Sequence, residues 1–192
     1  MRLGQRQGAP CVLDDARFAD CARRAFALCA PRGRYRILHI AEIRTDGILL
    51  ADGTLVPGGR FAAQCDGCAG LWCAAVTVGA EVVTARQALP SVAEQCVYDA
   101  VGSECADAAM DALQRVSRQL LLSQGLALSP HRYSPGYGDM PLSAQVLFDR
   151  YLDLGAMGVS LTAEHFMTPE KSVTAWAGVA KAEQSHEPTR IS

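Results

Sequence analysis

Between Pro90 and Pro130 the chain runs without a proline, and most of that run carries one helical period. Val97, Val101, Cys105, Ala109, Leu113, Val116 and Leu120 recur at spacings of three and four, which places them on a single stripe of an α-helix. The spacing predicts one long helix over 92–123, with Pro90-Ser91 breaking the chain before it. Glu104, Asp107 and Asp111 make an acidic line on another face. Such a line is a solvated helix face unless a cationic ligand group lies nearby.

The remaining segments are shorter. Asp14 or Asp15 can cap a helix running to about Cys29, with Phe18, Cys21, Ala22, Ala25 and Leu28 inward. Residues 35–40 alternate as a strand, and 43–56 is broken by Asp46-Gly47 and Asp52-Gly53, two strong turn signals, so a small antiparallel meander is expected. Residues 59–68 read as a short helix and turn, 71–79 as a buried strand and 81–89 as a helix. Asp139 and Pro141 are expected to open a further helix with Leu142, Val146, Leu147, Tyr151 and Leu154 on its core face. A strand over 157–162, a loop over 163–171 and a last strand over 172–180 complete the pattern. Strands clustered without regular βαβ alternation argue an α+β fold: an antiparallel sheet with a long helix and flanking helices. The expected organisation is a helical lead-in over 1–33, one domain over 34–180 and a loose tail over 181–192.

Charge and motif content exclude several functions. The net charge is -2, with 18 basic and 20 acidic residues mixed along the chain and no basic block, so nucleic acid is not an expected partner. No apolar run approaches the roughly 20 residues of a membrane span, and residues 1–10 lack a secretory core, so a cytoplasmic protein is expected. There is no Gly-x-Gly-x-x-Gly, no phosphate-binding Gly-x-x-x-x-Gly-Lys-Ser/Thr, no Gly-x-Ser-x-Gly and no His-x-x-x-His. The eight cysteines read mainly as buried thiols. Cys65-Asp66-Gly67-Cys68 with Cys73 has the spacing of a metal or redox pair, but Cys96 and Cys105 do not supply a second one.

Residues 131–141, His-Arg-Tyr-Ser-Pro-Gly-Tyr-Gly-Asp-Met-Pro, are the least core-like stretch of an apolar chain. Two prolines and two glycines predict an ordered loop. Arg132 offers a planar fork of donors for a carboxylate or phosphate. Tyr133 and Tyr137 offer aromatic faces and hydroxyls, and Gly136 permits close approach to the backbone. Such a loop suits a small molecule with an acidic group and a flat ring, or else is a plain connector.

Those residues also carry a resemblance. Arg132-Tyr133-Ser134-Pro135-Gly136-Tyr137 resembles the Arg-x-x-x-Gly-Tyr signature of the activation (reactivation) domain of vitamin B12-dependent methionine synthase and its short stand-alone homologues. Pro141-Leu142-Ser143 followed by a helix, Gly158-Val159-Ser160-Leu161-Thr162, and Met167-Thr168-Pro169 through Ser172-Val173-Thr174 resemble further family motifs in order. Thr77-Val78-Gly79 is similar to the short homologues.

The resemblance implies S-adenosylmethionine binding. Arg132 would hold the methionyl carboxylate, Gly136 and Tyr137 match the end of the signature, the backbone around Ser134 would meet the adenine, and Asp107 would take the amino group. It implies reductive methylation of cob(II)alamin carried by a partner, either a methionine synthase or another corrinoid protein, with an electron from a flavodoxin-like or other donor. The chain would then be one component of that system rather than a self-contained enzyme. Ala163 stands where the family has a Glu, and the family's longer C-terminal portion has no counterpart after residue 180, so a more open pocket is expected. An S-adenosylmethionine sensor and a cysteine-based metal or redox protein are the alternatives.

Overall fold

A computed structural model describes residues 14–182. Helix α1 (Asp15–Ala27) is capped by Asp14, whose carboxylate accepts from the amide of Arg17 at 2.8 Å. Its Cys21 and Ala25 are buried, whereas Phe18 is exposed. Strand β1 (Arg32–Ile43) is longer than expected and serves two neighbours. Its first part, to His39, pairs with β4 (Gly70–Thr77) and its last part, from Ile40, with β2 (Gly47–Leu50), the latter pairing having an irregularity between Ile40 and Glu42. β3 (Leu55–Pro57) and the short helix α2 (Gly59–Gln64) follow. The two Asp-Gly turns thus build the expected meander.

Every residue of β4 is buried, because both faces of the sheet are covered there. Trp72, Ala74 and Val76 meet Met110 of the long helix on one side, while Leu71, Cys73 and Ala75 join Phe148 and Trp176 on the other. That double burial is why the segment reads as an unbroken apolar run. After α3 (Glu81–Ala88) comes the rod itself, α4 (Val92–Leu122), 31 residues long. Then follow β5 (Leu126–Leu128), a 3-10 turn at Leu142–Ala144, and α5 (Gln145–Leu152). A second 3-10 turn (Leu154–Met157), β6 (Ser160–Leu161), β7 (Met167–Thr168) and β8 (Ser172–Lys181) complete the described chain. The large sheet has the order β3-β2-β1-β4-β8-β5 with every pair antiparallel, and β6-β7 is a separate two-stranded ribbon. The fold is therefore α+β with an antiparallel sheet, a long helix and flanking helices, as the sequence predicts.

Register corrects the sequence reading in two helices. In α4 the buried residues are Val97, Tyr98, Gly102, Ala106, Met110, Gln114, Ser117 and Leu121, a line centred one residue on from the predicted stripe; of that stripe Val97 is buried, Val101, Cys105, Ala109 and Leu113 are half-buried, and Val116 and Leu120 are exposed. Close packing selects small residues on that line: a Cβ on Gly102 would come within 3.1 Å of the Lys171 side chain, which crosses the helix there. In α5 the buried residues are Gln145, Phe148 and Leu152, and Val146 faces solvent. The strand expected over 157–162 shrinks to two residues, since Met157 ends a 3-10 turn and Gly158 follows at φ +75°. The expected loop over 163–171 contains its partner strand β7.

Candidate ligand-binding site

The loop over 131–141 lies along the edge of β8 that β5 leaves uncovered. β5 pairs only with the last residues of β8, through Lys181, Ala180 and Val179. Further back, Tyr133 takes the strand's place: its amide donates to the Trp176 carbonyl at 2.9 Å, and its carbonyl accepts from the Trp176 amide at 2.8 Å. One position on, the Ser134 hydroxyl donates to the Thr174 carbonyl at 2.7 Å.

The rest of the loop is tied down by its own turn residues. The Gly136 amide, at φ +88°, donates to the Met140 carbonyl at 3.0 Å, and the Met140 amide to the Tyr137 carbonyl at 3.1 Å. The Tyr133 ring stacks on Phe61 at 5.4 Å, and its hydroxyl donates to Asp139 at 3.2 Å. Asp139 does not open α5. Its other carboxylate oxygen accepts from the amide of Arg60 at 3.0 Å, fastening the loop to the start of α2, and that bond above all holds its carboxyl below the usual carboxylate range.

This ordering shapes a cavity of about 900 Å³ against α4, α5 and β8, within the size range of small-molecule sites. Asp107, Arg132, Ser134 and Tyr137 all line it. Gly136 does not; it makes the turn that carries its neighbours to the wall. Tyr137 stands at the rim, 70% exposed.

Arg132 is aimed from behind. Its Nη1 donates to Asp111 at 2.6 Å and to the Gln114 amide oxygen at 2.9 Å, and the Gln114 nitrogen donates to the Ser129 carbonyl at 2.8 Å. The other two nitrogens of this guanidinium have no hydrogen-bond partner among the described residues. The predicted acidic line therefore divides. Asp111 fixes the arginine, Asp107 faces the cavity one turn earlier, and Glu104 is exposed.

Two further residues of the wall or its support were not singled out in the sequence, Gln114 and Gln145, and Thr174 was named there only as part of a motif. The signal for Gln114 was available. It falls on the buried line of α4, where a polar side chain needs a reason.

The cysteines do something else. Cys65 and Cys68 press their sulfurs on Gly178 of β8, where a Cβ would lie 3.4 Å from the first and 2.6 Å from the second. Burial pushes the Cys65 thiol up to about 12 and Cys73 well above the ordinary value, which keeps both protonated as free thiols. Among the described residues no group of three or more His, Cys, Asp or Glu side chains gathers in a metal-binding arrangement. No helix of the described residues is long and apolar enough to cross a membrane.

The class that the architecture defines is also found in solved structures. No family model matches this sequence, and no curated protein is similar enough to count as a relative. By fold, 13 solved chains match. One is a crystal structure of the MetH reactivation domain bound to AdoHcy, with a TM-score of 0.61 and 16% sequence identity, covering 90% of this chain and 67% of that one. The chain thus shares the fold of that reactivation domain.

Proposed function

We propose that this protein binds S-adenosylmethionine in the cavity beside the 131–141 loop and presents its methyl group to a corrinoid carried by a partner. The observation that carries the reading is that Arg132 and Asp107 reach one cavity from different elements, with Arg132 held from behind by Asp111 and Gln114. That arrangement suits an amino-acid zwitterion: the free edge of the guanidinium takes the carboxylate, and Asp107 takes the ammonium. Asp107, Asp111 and Arg132 together carry one net negative charge, which suits a ligand whose sulfonium leaves it with one net positive charge. The loop backbone around Ser134, which lines the same cavity, would meet the adenine. The Gly136 turn presents Tyr137 at the mouth. The fold shared with a reactivation domain bound to AdoHcy supports the same ligand class.

The chain's own contribution is proximity. It binds the methyl donor, orients it and leaves the cavity mouth open to a partner, with no general acid or base required. The corrinoid, when reduced, supplies the nucleophile; it arrives on a methionine synthase or another corrinoid protein. The electron comes from a flavodoxin-like or other donor, in the cytoplasm. In this reading the protein is an accessory component that supports reductive methylation of cob(II)alamin.

Calorimetric titration with S-adenosylmethionine tests the ligand. Wild type is expected to bind saturably, and Arg132→Ala to lose about 1.5–3 kcal/mol, roughly 10- to 150-fold in affinity, as a charge-assisted contact should. Asp107→Asn should weaken S-adenosylmethionine binding in the same direction. No binding by wild type, alone or with a corrinoid protein, would sink the proposal. Methyl transfer from S-adenosylmethionine to a corrinoid protein under reducing conditions tests the role. Binding without such transfer would make the protein a sensor instead.

A further inference from the structure

On the wall of the same cavity, a buried amide has one half of its hydrogen-bonding capacity unspent. Gln145 is only 5% exposed, yet it lines the cavity. Its Oε1 accepts from the hydroxyl of Thr174 at 2.7 Å. The hydroxyl hydrogen of Thr174 has no other acceptor among the described residues, and Thr174 is itself buried, so the amide is oriented with its Nε2 outward. Among the described residues Nε2 has no hydrogen-bond partner. The nitrogen is not sealed off from solvent; it opens onto the cavity, where an acceptor of a bound ligand would take the place of water.

Two further features belong to the same wall. The Thr174 carbonyl points toward the loop, where Ser134 donates to it at 2.7 Å. In an extended strand the N–H and C=O of one residue face the same way, so the Thr174 amide also faces this open edge. Met167 supplies a polarisable thioether beside them. Gln145 and Met167 also border a smaller cavity of about 470 Å³ lined by His165, Phe166 and Glu170.

We propose that Gln145 is the specificity residue for the base of the nucleoside: its Nε2 donates to an acceptor nitrogen of a flat heteroaromatic ring, while Arg132 and Asp107 hold the amino-acid end. The inference rests on the nucleoside reading of this cavity and assigns the residue that distinguishes one base from another. A ring without an acceptor at that position leaves the amide unpaired and binds more weakly.

The test is a cycle of protein variants against ligand analogues. S-Adenosylhomocysteine and its 1-deaza, 3-deaza and 7-deaza analogues, each lacking one ring acceptor, are titrated against wild type, Gln145→Leu and Gln145→Glu. Gln145→Glu keeps the oxygen that meets Thr174 but removes the donor. For wild type, one of the three analogues is expected to lose roughly tenfold or more in affinity, the size of one hydrogen bond to a desolvated group. Both variants should lose a similar factor for the parent ligand and discriminate no further against that analogue. Equal discrimination by wild type and variants, or unchanged affinity in Gln145→Leu, overturns the inference while leaving the nucleoside reading intact. Loss of all four ligands in Arg132→Ala, with all four still bound normally by Gln145→Leu, overturns it in the same way. Failure of wild type to bind any of them overturns both. A general packing defect would lower affinity for every ligand by one factor and show in thermal unfolding, which the cycle separates from a lost contact.

Discussion

Two polar clusters sit on the same helix, and they are built to opposite ends. Near the start of α4, Asp99 accepts from Lys171 at 2.7 Å and from Arg86, and Arg86 also reaches Glu170 at 2.7 Å. The Lys171 ammonium adds Ser103 at 3.0 Å and lies near Glu170 at 3.8 Å, so it is surrounded by acceptors. Further along, Arg132 spends one nitrogen on Asp111 and Gln114 and turns the rest of its fork toward a cavity. The first cluster closes upon itself and fastens the segment before β8 to α3 and α4. The second stops short of closure. A saturated network gains nothing from a ligand. An arginine fixed on one edge and unpaired on the other is preorganised for an anion, because its ordering cost is met before binding.

If that contrast is correct, substitutions in the two clusters should separate affinity from stability. Arg132→Ala has the largest expected effect, the roughly 10- to 150-fold loss in ligand affinity given above. Its melting temperature should fall only modestly: Asp111 is exposed and regains water, while the buried Gln114 loses the donor to its amide oxygen. Lys171→Met should do the reverse. It keeps the stem across Gly102 and removes the ammonium from a site only 11% exposed, leaving Ser103 and part of Asp99 without their partner. A loss of about 1–2 kcal/mol is expected, a fall of roughly 2–8 °C in Tm for a chain of this size. Thermal unfolding beside calorimetry measures both quantities on each variant. Equal loss of affinity in the two would remove the distinction.

The contrast also shows what a sequence can disclose. The extent of α4 was legible, because its length rests on local spacing and on the breaks around it. Its register was not. One residue turns a helix by about 100°, and the buried line includes Gly102, Gln114 and Ser117, which a search for apolar letters passes over. The same applies to α5, where Gln145 is buried and Val146 is not. β4 was clear because a strand covered on both faces must be apolar throughout. β5, at three residues, is too short to carry a period. In the site, Arg132 announced itself by residue type within a Pro/Gly loop. Gln114, Gln145 and Thr174 did not, because an amide or hydroxyl becomes informative only when its burial is known. The cysteines, read mainly as buried thiols, include the close pair Cys65 and Cys68, which packs on Gly178.

The order of the loop can be loosened without touching either cluster. Gly138 has φ +58°, and a Cβ there would collide with the Tyr133 hydroxyl that bonds Asp139. Gly53 has φ +84° with open space around it. Gly53→Ala therefore bears backbone strain alone, about 1 kcal/mol. Gly138→Ala should cost more in chemical denaturation and also weaken ligand binding several-fold, because the Tyr133–Asp139 tie that orders the loop must break. An equal cost for the two, with affinity unchanged in both, would mean that loop order contributes nothing to the site.

The smallest effect lies in the pH dependence of the closed cluster. The hydrogen bond from Lys171, followed by its charge and the contact with Arg86, holds the Asp99 carboxyl below its usual range in the folded protein. A carboxyl depressed on folding contributes stability above its unfolded pKa of about 3.9, and the contribution fades as pH falls from there through the lower folded value. The difference in stability between wild type and Lys171→Met should therefore be full at pH 7 and shrink below about pH 4, as Asp99 takes up a proton and releases its cation. Asp99 is 47% exposed, so solvent screens much of the interaction and the change will be modest. Urea unfolding of both proteins at neutral and acid pH measures it. A gap that stays constant with pH would place the value of Lys171 in its bond to Ser103 and its packing over Gly102 rather than in the ion pair. The closed cluster would then hold the segment before β8 without help from charge, unlike the cavity, where charge on α4 fixes Arg132.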